Sequence, residues 1–225
     1  MITSVTIGID EQRQVSGLLQ VPPGARACYV LAHGAGAGMA HPFMAAVANG
    51  LAQRRIATLR YQFHYMEQRS RRPDPPKLAQ ATVRAAVLEA SRLVPELPLL
   101  AGGKSFGGRM TSQAQAASPL PGVHALVFLG FPLHPPGRPS AERARHLAEV
   151  HVPMLFLQGS RDEFANLDFL QPLMEELRPR ATLHLIQEAD HSFHVPARTG
   201  RKDSEVREQV LDTLTDWVGR VMLRP

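Results

Sequence analysis

Hydrophobic and polar positions along the chain change their period repeatedly. Short apolar runs alternate with longer stretches of helical spacing. "SVTIGID" (4–10) and "QVSGLLQVP" (14–22) are rich in strand formers and flank a polar turn, so they predict a leading hairpin. "ACYVLAH" (27–33) is a short continuous apolar run that ends in a glycine-rich loop. In "HPFMAAVANGLAQRR", Pro42 falls near a first-turn position and Phe43, Val47 and Leu51 recur every four residues, which predicts a helix. "IATLRYQF" (56–63) predicts a strand, and residues 77–93 place Leu78, Ala81, Ala85 and Leu88 at helical spacing.

The alternation continues to the end. "LPLLAGG", "HALVFLGFP" (124–132), "PMLFLQG" (153–159) and "ATLHLIQ" (181–187) read as strands. "FGGRMTSQAQAAS" and "FANLDFLQPLMEEL" read as helices. From Asp203 onward, Val206, Val210, Leu214, Trp217, Val218 and Val221 share one helical face. Continuous apolar strands interleaved with helices predict a mostly parallel sheet covered on both faces. About eight strands in one α/β domain over 1–225 are expected, with no internal repeat. Residues 131–150 are the only sizeable excursion between strands, enough for a small lid segment but not for a cap domain.

Composition narrows the function classes. The chain has 225 residues, 44% hydrophobic and 20% charged, as a globular protein with a real core requires. No apolar run approaches the roughly 18 residues of a membrane helix. The amino-terminal stretch has no basic region followed by an apolar core, so no secretory signal is read. Cys28 is the single cysteine, which excludes an internal disulfide; a cytoplasmic location is expected. Formal net charge is +5, carried almost wholly by arginine, since only Lys77, Lys104 and Lys202 are lysines. The densest basic cluster, "EQRSRRPDPPK" (67–77), has no interleaved aromatics and its prolines mark a surface loop. Neither a nucleic-acid partner nor a membrane is expected.

The chemistry centres on "PLLAGGKSFGGRMTS" (98–112). A phosphate-binding loop needs a glycine five positions before Gly103-Lys104-Ser105, and that position is Pro98. The alternative pattern is G-x-S-x-G, here Gly103-Lys104-Ser105-Phe106-Gly107, between a strand and a helix. There the serine sits in a strained turn, and its neighbours two residues away must be small because strand and helix nearly touch. Lys104 then reads as an exposed spacer.

Ser105 as nucleophile needs three further groups. Amide N–H groups must receive the oxyanion. Phe106, next after the serine, supplies one; the loop His33-Gly34-Ala35-Gly36 supplies the other, with Ala35 first and Gly36 second. His33 itself reads as a side chain that fixes this loop. A general base must reach the serine, and "EADHSFHVP" (188–196), just past the last strand, offers His191, with His194 as structural or cavity-lining neighbour. A metal site from both histidines and Asp190 lacks a third ligand cluster. A carboxylate must orient the imidazole: Asp162 stands in the turn after a strand, Glu163 is its rival, and Asp168 falls in the next helix. The order Ser105, Asp162, His191 is that of the α/β-hydrolase fold.

With "LAHGAGAGMAHPFM", "GGKSFGGRM", "LQGSRDEF" and "ADHSFHVP" in view, the chain resembles the α/β-hydrolase superfamily over essentially its whole length. It is most similar there to small capless dienelactone-hydrolase-like serine hydrolases, and to the family related to the testis-expressed and NSL-complex α/β-hydrolase-like proteins. The resemblance implies a three-layer sandwich with eight strands, the second antiparallel. It implies nucleophile Ser105, acid Asp162, base His191 and an oxyanion loop at His33–Gly36, with no cofactor and no metal. Dienelactone hydrolases proper use a cysteine where this chain has Ser105. The expected activity is hydrolysis of an ester, thioester or activated amide on a small-molecule acyl substrate. A silent binding scaffold and an acyltransferase with the same triad are the alternatives. The 62–76 loop and the 131–150 segment are expected to border the site.

Overall fold

The computed structural model describes residues 1–222. Eight strands form one sheet: β1 (Ile2–Gly8), β2 (Gln14–Gln20), β3 (Ala27–Ala32), β4 (Ile56–Tyr61), β5 (Leu99–Lys104), β6 (Val123–Leu129), β7 (Met154–Gly159) and β8 (Ala181–Ile186). Their order is β1-β2-β4-β3-β5-β6-β7-β8. β2 runs antiparallel to both β1 and β4, and the pairings from β4 through β8 are parallel. This is the topology the resemblance implied, and no large cap interrupts it.

The two-sided burial foreseen from the apolar runs follows from alternation along each strand. β3, β4 and β7 are buried at every position. In β3, Cys28, Val30 and Ala32 face one core and Ala27, Tyr29 and Leu31 the other. The first core is closed by helices α3 (Pro76–Leu93), α4 (Phe106–Ala117) and α5 (Leu167–Glu176). The second is closed by α1 (Pro42–Gln53) and α6 (Asp203–Met222). The remaining α-helix among the described residues, α2 (His64–Glu67), is a single turn inside the stretch expected to be a loop.

Start signals act where the sequence placed them. Pro42 opens α1, and the His41 imidazole caps it by accepting from the Phe43 N–H at 3.2 Å. Asn166 caps α5 by accepting from the Asp168 N–H at 2.7 Å. One expected face is corrected. α3 buries Ala79, Thr82, Val83, Ala86, Val87 and Ala90, whereas Leu88 is 56% exposed. The spacing was right and the phase was wrong, because the helix lies close on the sheet and selects small residues for the contact.

Connectivity places the chemistry. The chain leaves β3 to add β4 on one side, then crosses back to add β5 on the other. A crevice opens at such a switch point, outside the carboxyl ends of the strands. Register brings Ala32 beside Gly103 and Lys104 beside Leu129, so β3, β5 and β6 end together.

The first core is anchored by Phe128, fully buried, with ring centroids 4.8 Å from Phe156 and 5.1 Å from Phe131. Phe128→Ala is expected to cost about 3–5 kcal/mol through the lost burial and the cavity left behind. Urea unfolding followed by circular dichroism measures this; a cost under about 1 kcal/mol would contradict the packing described.

Candidate active site

β5 ends at Lys104 and α4 starts at Phe106, so Ser105 makes the whole turn. Its backbone sits at φ 49° and ψ −115°, a conformation an L-residue holds only when its surroundings compel it. The compulsion is contact. A β-carbon on Gly103 would lie 2.2 Å from the Ala32 carbonyl oxygen, and one on Gly107 2.6 Å from that of His33. Both glycines of G-x-S-x-G are therefore needed for the strand and the helix to approach β3. The Ser105 N–H donates to Leu129 O at 3.2 Å and its carbonyl accepts from the Arg109 N–H at 3.1 Å, so both sides of the turn are held.

The structure brings the three predicted side chains together. His191 Nε2 lies 2.8 Å from Ser105 Oγ, and His191 Nδ1 lies 2.6 Å from Asp162 Oδ2. A carboxylate only accepts, so Nδ1 carries the proton and Nε2 is left free to accept from the serine. Asp162 is 5% exposed. Its Oδ1 accepts from the Phe164 N–H at 2.8 Å, and its Oδ2 also accepts from the Gln158 side-chain amide. Gln158 is set in turn by the Phe131 N–H, which donates to its Oε1 at 2.8 Å. The buried charge is thus fully solvated by fixed donors. The Phe164 ring lies 4.4 Å from the imidazole centroid.

The rivals lie elsewhere. Glu163 is exposed, and Asp168 is exposed in the first turn of α5. His194 is exposed and pairs with Asp203 at 2.8 Å, a bond that raises its pKa. Among the described residues no three His, Cys, Asp or Glu side chains gather as metal ligands would.

The loop after β3 lies against the elbow: a β-carbon placed on Gly34 would fall 3.8 Å from Ser105 Cβ. His33 fixes it, as expected: Nδ1–H donates to Gly34 O at 2.7 Å, and Nε2 accepts from the Phe63 N–H at 3.1 Å. Gly36, the second choice for an oxyanion donor, has its N–H occupied by Tyr65 Oη at 2.8 Å. The Ala35 N–H has no partner among the described residues, and the Phe106 N–H, first in α4, has none within its helix. Phe106 directly follows the serine, and Ala35 lies in the loop packed against the elbow.

A cavity of about 410 Å³ opens over Ser105 and His191, with Ala35, Ala37, Phe43, Met44 and Phe164 as its apolar walls. Neither 62–76 nor 131–150 lines it. The first reaches the site through Tyr65. The second carries a 3₁₀ helix over Glu142–Glu149 that packs on α4, where His146 Nε2 meets Ser112 Oγ at 2.7 Å. Its His134 braces the acid loop instead, accepting from the Asn166 N–H at 3.0 Å. Lys104 also departs from expectation. It is not an exposed spacer: its ammonium is turned inward and donates to the His191 carbonyl at 2.6 Å. Sequence reasoning missed Gln158 and Phe164 as well, and had Tyr65 only as part of the 62–76 loop expected to border the site. Only Gln158 left a trace, as a polar residue in the apolar run "MLFLQG".

A strained serine at a strand–helix elbow, set at the carboxyl edge of an eight-stranded sheet with one antiparallel strand, defines the α/β-hydrolase fold. Residues 25–219 match the family model for the alpha/beta hydrolase domain, and the chain belongs to that family. Solved structures agree in fold. Dienelactone hydrolase from Anabaena variabilis superposes with a TM-score of 0.77 at 21% identity, covering 98% of this chain and 97% of its own. A lidless a/b serine hydrolase from Xanthomonas campestris gives 0.73 at 20% identity, covering 96% and 94%. The esterase domain of a Rhodothermus marinus protein gives 0.71 at 17% identity, covering 98% of each chain.

Burial lowers the His33 pKa from 6.5 to about 4, so the imidazole that holds the loop after β3 is neutral in the fold. The unfolded chain binds that proton more readily. The His33 contribution is therefore complete above pH 6.5 and is lost as pH falls toward 4. His33→Gln retains an acceptor for the Phe63 N–H without titrating. The stability advantage of wild type over this variant is expected to shrink by about 2 kcal/mol between pH 7 and pH 5. Urea titrations at the two pH values check this, and a constant difference would refute it.

Proposed function

We propose that the protein is a serine hydrolase that cleaves a carboxylic ester, thioester or activated amide through an acyl-enzyme on Ser105. One observation carries this reading: the unbroken hydrogen-bond chain from Ser105 Oγ through His191 to buried Asp162, with the serine held in a strained elbow. A binding surface has no use for a nucleophile, a tautomer-fixed base, a solvated buried carboxylate and two free amides at one point. The dienelactone hydrolase and the esterase domain among the structural neighbours support a hydrolase reading.

In this mechanism His191 Nε2 takes the Ser105 proton as Oγ bonds to the substrate carbonyl carbon. The carbonyl oxygen becomes an oxyanion and accepts from the Ala35 and Phe106 N–H groups. Asp162 stabilises the imidazolium without taking its proton. The imidazolium then protonates the leaving alkoxide, thiolate or amine as its bond to the carbonyl carbon breaks. Water, deprotonated by His191, attacks the acyl-enzyme, and the proton returns to Ser105 as the acid leaves. Apolar walls around a cavity of about 410 Å³ favour a short or medium acyl group with little charge.

Ser105→Ala is expected to abolish covalent labelling by a fluorophosphonate probe. It is also expected to lower kcat/KM for a short-chain nitrophenyl ester by about 10⁴-fold or more, with the fold intact by circular dichroism. Labelling that persists in the variant, or a wild-type protein inert to both reagents, would overturn the reading.

A further inference from the structure

Of the three lysines, Lys77 and Lys202 are exposed, while Lys104 is turned into the protein. Its Nζ lies 2.6 Å from the His191 carbonyl oxygen and 5.6 Å from the centre of the Phe193 ring. A β-carbon on Gly130 would be 2.9 Å from Nζ and 3.3 Å from both Nδ1 and the carbonyl oxygen of His191. The ammonium therefore sits beside Gly130 and the His191 main chain, in the gap where β5, β6 and the histidine loop meet. Gly130, at φ 70°, leaves that gap open.

This placement is costly. Burial lowers the lysine pKa from 10.5 to about 8, against the opposing pull of the Asp162 and Asp190 carboxylates. Packing alone does not call for it, since an apolar side chain of similar length would fill the gap without a desolvated charge. The position in the chain supplies a reason. Lys104 and Ser105 are consecutive, so their Cα atoms are held about 3.8 Å apart by the peptide bond. The side chain that grips the histidine loop is thus rooted in the residue beside the nucleophile. Any drift of the loop away from the elbow must stretch this one hydrogen bond.

We propose that Lys104 is a positioning residue for His191, setting the separation between imidazole and nucleophile by holding the histidine main-chain carbonyl from the strand that carries Ser105. The kinetic consequence rests on the serine-hydrolase reading; the structural consequence does not. Misplacing a reacting group by about 1 Å costs on the order of 10²-fold in rate. Binding is touched less, since the Lys104 ammonium is already engaged by the His191 carbonyl although the residue borders the cavity.

Lys104→Met tests this in two ways on the full chain. For a short-chain nitrophenyl ester, kcat is expected to fall about 10- to 100-fold with KM changed less than about 2-fold. By mass spectrometry, amide hydrogen exchange across 188–195 is expected to quicken at least about 10-fold, with β3 and β7 unchanged. Unchanged kcat, a rise confined to KM, or unchanged exchange in 188–195 each overturns the proposal. Lys104→Gln retains a donor on a shorter stem and is expected to shift both readouts in the same direction, by less. It decides the question if the methionine variant fails to fold, and wild-type behaviour in it overturns the proposal. A wild-type protein inert to the fluorophosphonate probe would defeat the hydrolase reading alone, and the exchange measurement would still decide the role of Lys104.

Discussion

The site depends on how closely the β5–α4 turn approaches the end of β3. Ala32 and His33 offer backbone carbonyls where side chains at 103 and 107 would otherwise project. With both positions glycine, strand, turn and helix press against β3, and Ser105 is driven to φ 49°. That backbone strain needs a rigid frame. β5 supplies it as a central strand, paired in parallel with β3 and β6 along its length. The same close approach brings the loop after β3 against the turn. The strain at Ser105 and the seat of that loop are consequences of one steric fact.

Around that point the polar groups are held in fixed roles by partners of their own. The Asp162 carboxylate is met in its buried setting by donors from Gln158 and the Phe164 N–H. His191 is held in one tautomer by Asp162. His33 is neutral because it is buried, and as a neutral ring it can donate at Nδ1 and accept at Nε2 together. Protonated, it would lose the acceptor for Phe63. Tyr65 occupies the Gly36 N–H, which narrows the free donors to Ala35 and Phe106. Each polar group is thus oriented by partners already in place, which is the kind of preorganisation the proposed chemistry requires.

Much of this was legible in the sequence because it obeys local rules. Continuous apolar strands have one physical meaning, burial on both faces, and β3, β4 and β7 show it. The elbow was legible because its steric demand falls on residues two positions either side of the serine. Asp162 and His191 were legible because each stands just past a strand, and parallel strands end at one edge. Less was legible where partners are remote in sequence and chosen by tertiary packing. The phase of α3 was misread because an alanine-rich surface carries a weak hydrophobic signal; its close contact with the sheet, not its larger side chains, selects the buried face. Tyr65 and Phe164 carry no pattern that announces a role, since each acts through a contact that exists only once distant loops meet. The 131–150 segment was read as a candidate border to the cavity on topology alone, and its histidines brace α4 and the acid loop.

Lys104 shows why the variable positions of a motif need their own physical account. A pattern such as G-x-S-x-G records the residues whose size or chemistry a turn constrains, and it is silent about the rest. Yet both variable positions here are placed by the turn as tightly as the serine. Position 106 begins a helix, so its amide is unpaired whatever its side chain. Position 104 ends a central strand, so its side chain must enter the space beneath the loop after β8. There a small residue would leave a void and an aliphatic one would leave the His191 carbonyl without this donor, a cost comparable to a lost hydrogen bond. A lysine answers that carbonyl with a donor long enough to reach it, at the expense of its own hydration. The two costs oppose each other, and the balance is set by how much the loop's position matters.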